Sequence, residues 1–102
     1  MSEVQFKQEA EQENVFFIEE NGERVAFMVV DIHGARLTAL HTEVLPAWRE
    51  HKLGIALVDA MANHARSHHL KVTPLCPYTR SMFVRYPEKY ADLWERETGS
   101  NG

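Results

Sequence analysis

The chain has 102 residues, 44% of them hydrophobic and 25% charged, with a formal net charge of −4. That is the make-up of one globular domain with one core, and the excess of acid argues against a protein that coats nucleic acid. No apolar run reaches the ~18 residues of a membrane span, the polar start from Met1 to Lys7 lacks a signal-peptide core, and the lone cysteine, Cys76, fits a reducing cytoplasm with no internal disulfide.

Residues 1–13 are polar and acidic (Glu3, Glu9, Glu11, Glu13) and read as a frayed arm. Val15 to Ile18 is aromatic and β-branched, a strand signature. Asn21-Gly22 follows, a dipeptide suited to a type I′ turn because both residues tolerate positive φ. Arg24 to Ile32 is a nearly continuous apolar strand. His33-Gly34 marks the next turn, and Ala35 to Val44 is a third strand. Its period of two sets Leu37, Ala39 and His41 on one face and Thr38, Leu40 and Thr42 on the other. Pro46 ends this antiparallel meander.

A loop leads to a helix from about Leu53 to His69. Gly54, Leu57, Val58, Met61, Ala62 and Ala65 form its apolar face. Leu70 to Leu75 is a short strand, expected to lie parallel to the third through a right-handed crossover. Tyr78 to Tyr86 is a second helix, broken by Pro87. Tyr90, Leu93 and Trp94 are expected to dock the C-terminal segment on the core. The order β-β-β-α-β-α implies an α/β (α+β) domain over residues 14–95, with a mostly antiparallel sheet, helices packed on it, and a loose tail at 96–102.

The stretch from Leu45 to Ala56 carries the functional signal. A strand end, a basic glycine-containing turn (Arg49, His51, Lys52, Gly54) and a helix start without Ser, Thr, Asp or Asn leave backbone N–H groups that an anion can meet. The alternative is a plain helix start with solvated cations.

The series His41-Thr42-Glu43-Val44, the basic loop, Leu53-Gly54-Ile55-Ala56, Pro74-Leu75-Cys76-Pro77-Tyr78 and Tyr86 to Leu93 resembles the small single-domain branch of the GNAT (Gcn5-related) N-acetyltransferases, which includes the YjdJ-like bacterial proteins. The resemblance implies a compact GNAT-like fold and acetyl-CoA as cofactor. It implies acetyl transfer to a primary amine on a small molecule or a lysine side chain, with no nucleic-acid or membrane partner. Its pyrophosphate seat falls on Arg49, His51, Lys52, Leu53, Gly54, Ile55 and Ala56. The pantetheine arm falls along Val44 and Leu45, near Glu43. His51 and Lys52 depart from the family pattern, which has Gln or Arg and then Gly at those places.

The candidate chemistry has two sides at each position. Cys76 is an acyl-accepting nucleophile, in the manner of this branch, or a buried small hydrophobe. Glu43 or His41 is the base that deprotonates the incoming ammonium, or a rim carboxylate and a satisfied core histidine. Tyr78 protonates the departing thiolate, or packs as an aromatic. His64 and His68, four apart on the helix, are expected to be surface histidines and not a metal pair. The second functional class is a module that binds CoA or a protein partner without turnover. The sequence leaves the oligomeric state open.

Overall fold

The sheet grows from its turns. In the computed structural model, which describes residues 3–10 and 13–95, Asn21 and Gly22 have φ of 55° and 80°. This positive pair is what a type I′ turn needs. It joins β2 (Glu13–Glu20) to β3 (Glu23–His33), with Glu20 opposite Glu23. Gly34, at φ 59°, serves the next turn into β4 (Arg36–Val44).

The polar stretch expected to fray contains a further strand, β1 (Gln5–Ala10), antiparallel to β2. All of its residues are exposed, so composition gave no sign of it. Backbone pairing, one ring and an ion pair hold it in place: Phe6 lies 4.8 Å from Phe16 and 4.4 Å from His64, and Arg24 meets Glu9 at 3.1 Å. The meander therefore has four strands instead of three. The remainder of the expected arm, residues 1–2 and 11–12, and the expected tail at 96–102 lie outside the described residues.

After β4 come a 3₁₀ helix (Pro46–His51) and α1 (Leu53–Ser67). The short β5 (Lys71–Pro74) then pairs parallel to β4, from Arg36↔Lys71 to Ala39↔Pro74. The strand order is β1-β2-β3-β4-β5. α2 (Pro77–Arg85) and the single turn α3 (Pro87–Tyr90) complete the chain of elements. Leu53, Leu57, Val58, Met61, Ala62 and Ala65 are the buried face of α1. They share one core with Phe16, Ile18, Met28 and Val30 of the sheet and with Met82 and Phe83 of α2. Tyr90 and Leu93 are buried as expected, and Trp94 packs on the same core. Leu93 and Glu95 exchange backbone bonds of 2.8 Å with Val72. An α+β architecture with helices packed on a mostly antiparallel sheet is thus present.

One irregularity positions the site. Val29 pairs with His41 and Val30 with Ala39, so Leu40 is left unpaired as a bulge. A bulge reverses the alternation beyond it. Leu37 and Ala39 are fully buried, but past Leu40 it is Thr42 and Val44 that turn toward the core face. His41 leaves the face shared by Leu37 and Ala39, and its exposed ring stands 6.0 Å from Phe27. The uninterrupted period of two expected for this strand is corrected accordingly. Pairing with β5 also stops at Ala39. The Cys76 N–H donates to the Ala39 carbonyl at 2.8 Å, and the chain then turns away into α2. The edge of β4 from residue 40 to 44 continues past the last parallel pair.

Candidate active site

The free edge of β4, the start of α1 and the start of α2 converge on one cleft. Thr42, Glu43, Val44, Arg49, Lys52, Gly54, Ile55 and Tyr78 line it, with a volume of about 500 Å³. Seven of these eight residues follow from the sequence, and Thr42 does not. Its entry depends on the Leu40 bulge, which no composition or spacing signals.

The 3₁₀ turn sets the basic side of the cleft. The Arg49 Nε–H donates to the Val44 carbonyl at 3.4 Å, which ties the turn to the strand end. Lys52 is the N-cap of α1, with φ 58° and ψ 33° and no side-chain cap bond. The Ala56 N–H reaches the Lys52 carbonyl at 3.4 Å. The N–H groups of Leu53, Gly54 and Ile55 precede it and have no intrahelical acceptor. A left-handed Lys is strained, since this region suits glycine. That explains the glycine the family pattern places here.

Gly54 has a second role that the sequence reading missed. A Cβ there would lie 2.8 Å from the Tyr78 hydroxyl oxygen and 2.9–3.0 Å from two of its ring carbons. Tyr78 thus leans across the start of α1. Burial, then the charge of Asp59, raises the Tyr78 phenol above its ordinary range. It is therefore a proton donor at neutral pH and not a base.

Several expected residues stand elsewhere. His51 puts its ring 5.0 Å from Trp48. Leu53 is a core side chain, and Leu45 and Ala56 pack against the core, so only their backbone faces the question of an anion. His41 and Glu43 are joined by a 3.2 Å contact (Nε2 to Oε1), both more than half exposed. Of the two, only Glu43 lines the cleft. His64 is not a surface histidine: it is half-buried, stacked between Phe6 and His68 at 4.4 and 4.2 Å. Among the described residues no group of three His, Cys, Asp or Glu is gathered as metal ligands would be.

Cys76 sits just behind Thr42. The residue is 3% exposed, and its thiol donates to Thr42 Oγ1 at 3.3 Å. It is also the N-cap of α2. Burial pushes this thiol up, but the Thr42 hydroxyl and the polar groups of Thr79 and Tyr78 outweigh burial and bring it below the usual thiol range. A helix N-terminus acts in the same direction.

The cleft brings together groups that can meet an anion. It offers two cations, an uncapped helix start and an unpaired strand edge. The family model for GCN5-related N-acetyl-transferases matches residues 15–93. No curated protein matches by sequence. Among solved structures, a GCN5-like protein from Staphylococcus aureus is similar at 23% identity and TM-score 0.68, covering 96% of this chain and 95% of its own. A ribosomal-protein-alanine N-acetyltransferase from Brucella melitensis has 14% identity and TM-score 0.65, covering 92% of this chain and 72% of its own. An aminoglycoside N-acetyltransferase in complex with CoA has 14% identity and TM-score 0.55, covering 91% and 75%. The structural likenesses share the fold, and the sequence match spans the elements that build the cleft, so the chain belongs to the GCN5-related N-acetyl-transferase family.

Proposed function

We propose that this protein is an acetyl-CoA-dependent N-acetyltransferase acting on a primary amine, whether a lysine side chain, a polyamine or a small amine. The observation that carries the reading is the cleft in which the free β4 edge meets the uncapped start of α1. Bound there, acetyl-CoA supplies an acetyl group activated as a thioester. Arg49, Lys52 and the first-turn N–H groups of α1 hold the pyrophosphate, and the edge at Val44 holds the pantetheine amides. Glu43, on the rim and paired with His41, takes the proton of the incoming ammonium. Tyr78, kept protonated, returns a proton to the departing CoA thiolate. In the route through Cys76, the thiolate accepts the acetyl group and the amine then removes it, restoring the sulfur.

A second reading rests on the 3% exposure of Cys76 and on the placement of His41 on the face of β4 opposite the thiol. In this reading the domain binds CoA or an acyl-CoA and does not turn it over.

Thermal unfolding with acetyl-CoA tests both. Ligand at ~100 times its dissociation constant adds about 2.7 kcal/mol, and an unchanged melt would remove both readings. Stabilisation without acetyl transfer to a panel of primary amines favours the binding module. Transfer at full rate by Cys76→Ala eliminates the covalent route and leaves the direct one.

A further inference from the structure

Thr79 carries a polar atom that the fold leaves without a partner. Its Oγ1 is buried and accepts or donates no hydrogen bond, and the residue is 0% exposed. Such groups are rare in folded proteins and cost free energy unless something engages them. The reason lies in the geometry of the α2 start. Cys76 is the N-cap, so Pro77, Tyr78 and Thr79 are the first three helical positions. At a usual helix start the side chain of the third residue reaches back to the N-cap N–H. Here that N–H is already spent on the sheet, donating to the Ala39 carbonyl at 2.8 Å. The Cys76 carbonyl is taken by the Arg80 N–H at 2.9 Å. The group on the N-cap that the Thr79 hydroxyl can still serve is the Cys76 sulfur, whose own proton goes to Thr42 at 3.3 Å.

We propose that Thr79 is a positioning residue for the Cys76 thiolate, its idle hydroxyl becoming a donor to sulfur when the thiol loses its proton. In the thiol form the sulfur donates to Thr42, and Thr79 finds no strong acceptor. In the thiolate form the sulfur accepts from both hydroxyls and from the N–H groups at the start of α2, so ionisation satisfies the orphaned group. The below-normal thiol range, to which Thr79 contributes, agrees with this arrangement. The half-buried Thr42 and the buried Thr79 thereby bracket the sulfur from the sheet side and the helix side. The proposal rests on the Cys76 route for its catalytic meaning, but the ionisation itself does not require acetyl-CoA.

Titration of the only thiol in the chain, followed by the ultraviolet absorbance of the thiolate in ligand-free protein, tests it. Thr79→Val removes the hydroxyl at constant shape and raises the midpoint by about one pH unit or more, the worth of a hydrogen bond to a charged group. Thr79→Ser keeps the hydroxyl and titrates with the natural protein. Where the valine variant fails to fold, Thr79→Ala replaces it with the same expectation. A hydroxyl-free variant that titrates unchanged overturns the proposal. So does a serine variant shifted as far as the hydroxyl-free one, since packing would then be the cause. Because no ligand is present, these outcomes stand apart from any failure of acetyl-CoA binding.

Discussion

Lys52 shows what a single backbone angle does in this site. Its φ of 58° is the conformation that glycine adopts without penalty and that costs an L-residue about 1–2 kcal/mol. Strain of this kind persists where the surroundings impose it, and here it aims a cation into the cleft beside the helix start. Lys52→Gly is expected to stabilise the free protein by about 0.5–1 kcal/mol, after the added flexibility of the unfolded chain is subtracted. For a domain of this size that is a rise in melting temperature of several degrees, about 4–8 °C per kcal/mol. The same variant should gain less from acetyl-CoA, because a charge-assisted contact is lost. Melts with and without ligand check both halves, and a free-protein melt below the natural one contradicts the strain argument. The basic turn and Gly54 were legible in the sequence because charge and the lack of a side chain are local properties. The two hydroxyls beside Cys76 were not, since Thr42 depends on a bulge and Thr79 on which N–H the sheet consumes.

At the scale of elements, the amphipathic α1 and the strong β2–β3 turn were plain, because period and turn chemistry act within a few residues. β1 was hidden, since its stabilisation comes from Phe16, Arg24 and His64, outside its own sequence. That anchoring makes its attachment sensitive to pH. Burial, then the neighbouring His68, lowers the His64 pKa. A histidine with a depressed folded value stabilises the fold when neutral, so the contribution is complete above the unfolded value of about 6.5. It is lost as pH falls from there through the folded value. The melting temperature should therefore fall between about pH 7 and pH 5 more steeply in the natural protein than in His64→Gln. Parallel melting curves for the two proteins would dismiss the histidine as the cause.

On the scale of the whole molecule, a net charge of −4 coexists with a cleft whose wall carries Arg49 and Lys52. Net charge repels a polyanion at long range, while the local cations and helix start attract it at contact. The Debye length of about 10 Å at 0.1 M salt separates the two effects. Rising salt screens the distant acids and the near cations alike, but in the proposed seat the cations would act in direct contact with the pyrophosphate. Acetyl-CoA affinity, measured calorimetrically, is therefore expected to weaken as salt rises, despite the like sign of protein and ligand. An affinity that strengthens with salt would show that the global field prevails. The α+β architecture was legible at this scale from the order of elements, while the depth of the cleft was not. It depends on where β5 stops pairing, and that follows from Cys76 bonding Ala39 before the chain turns into α2.

The unpaired Leu40 has a consequence for how such a site changes over time. It is 43% exposed and buries little, so its removal would cost the core almost nothing directly. Deleting it would join Ala39 to His41 in strict alternation with their present partners, so Thr42 and Val44 would keep the core face and His41 and Glu43 the other. Losing one residue just past a retained bulge, His41 for instance, would do the opposite. Thr42 and Val44 would turn outward, and Glu43 would turn toward the sulfur. The reactive surface of this strand is encoded by parity: a lineage can drop the bulge without touching the site, but a one-residue loss beside it inverts the site in a single step.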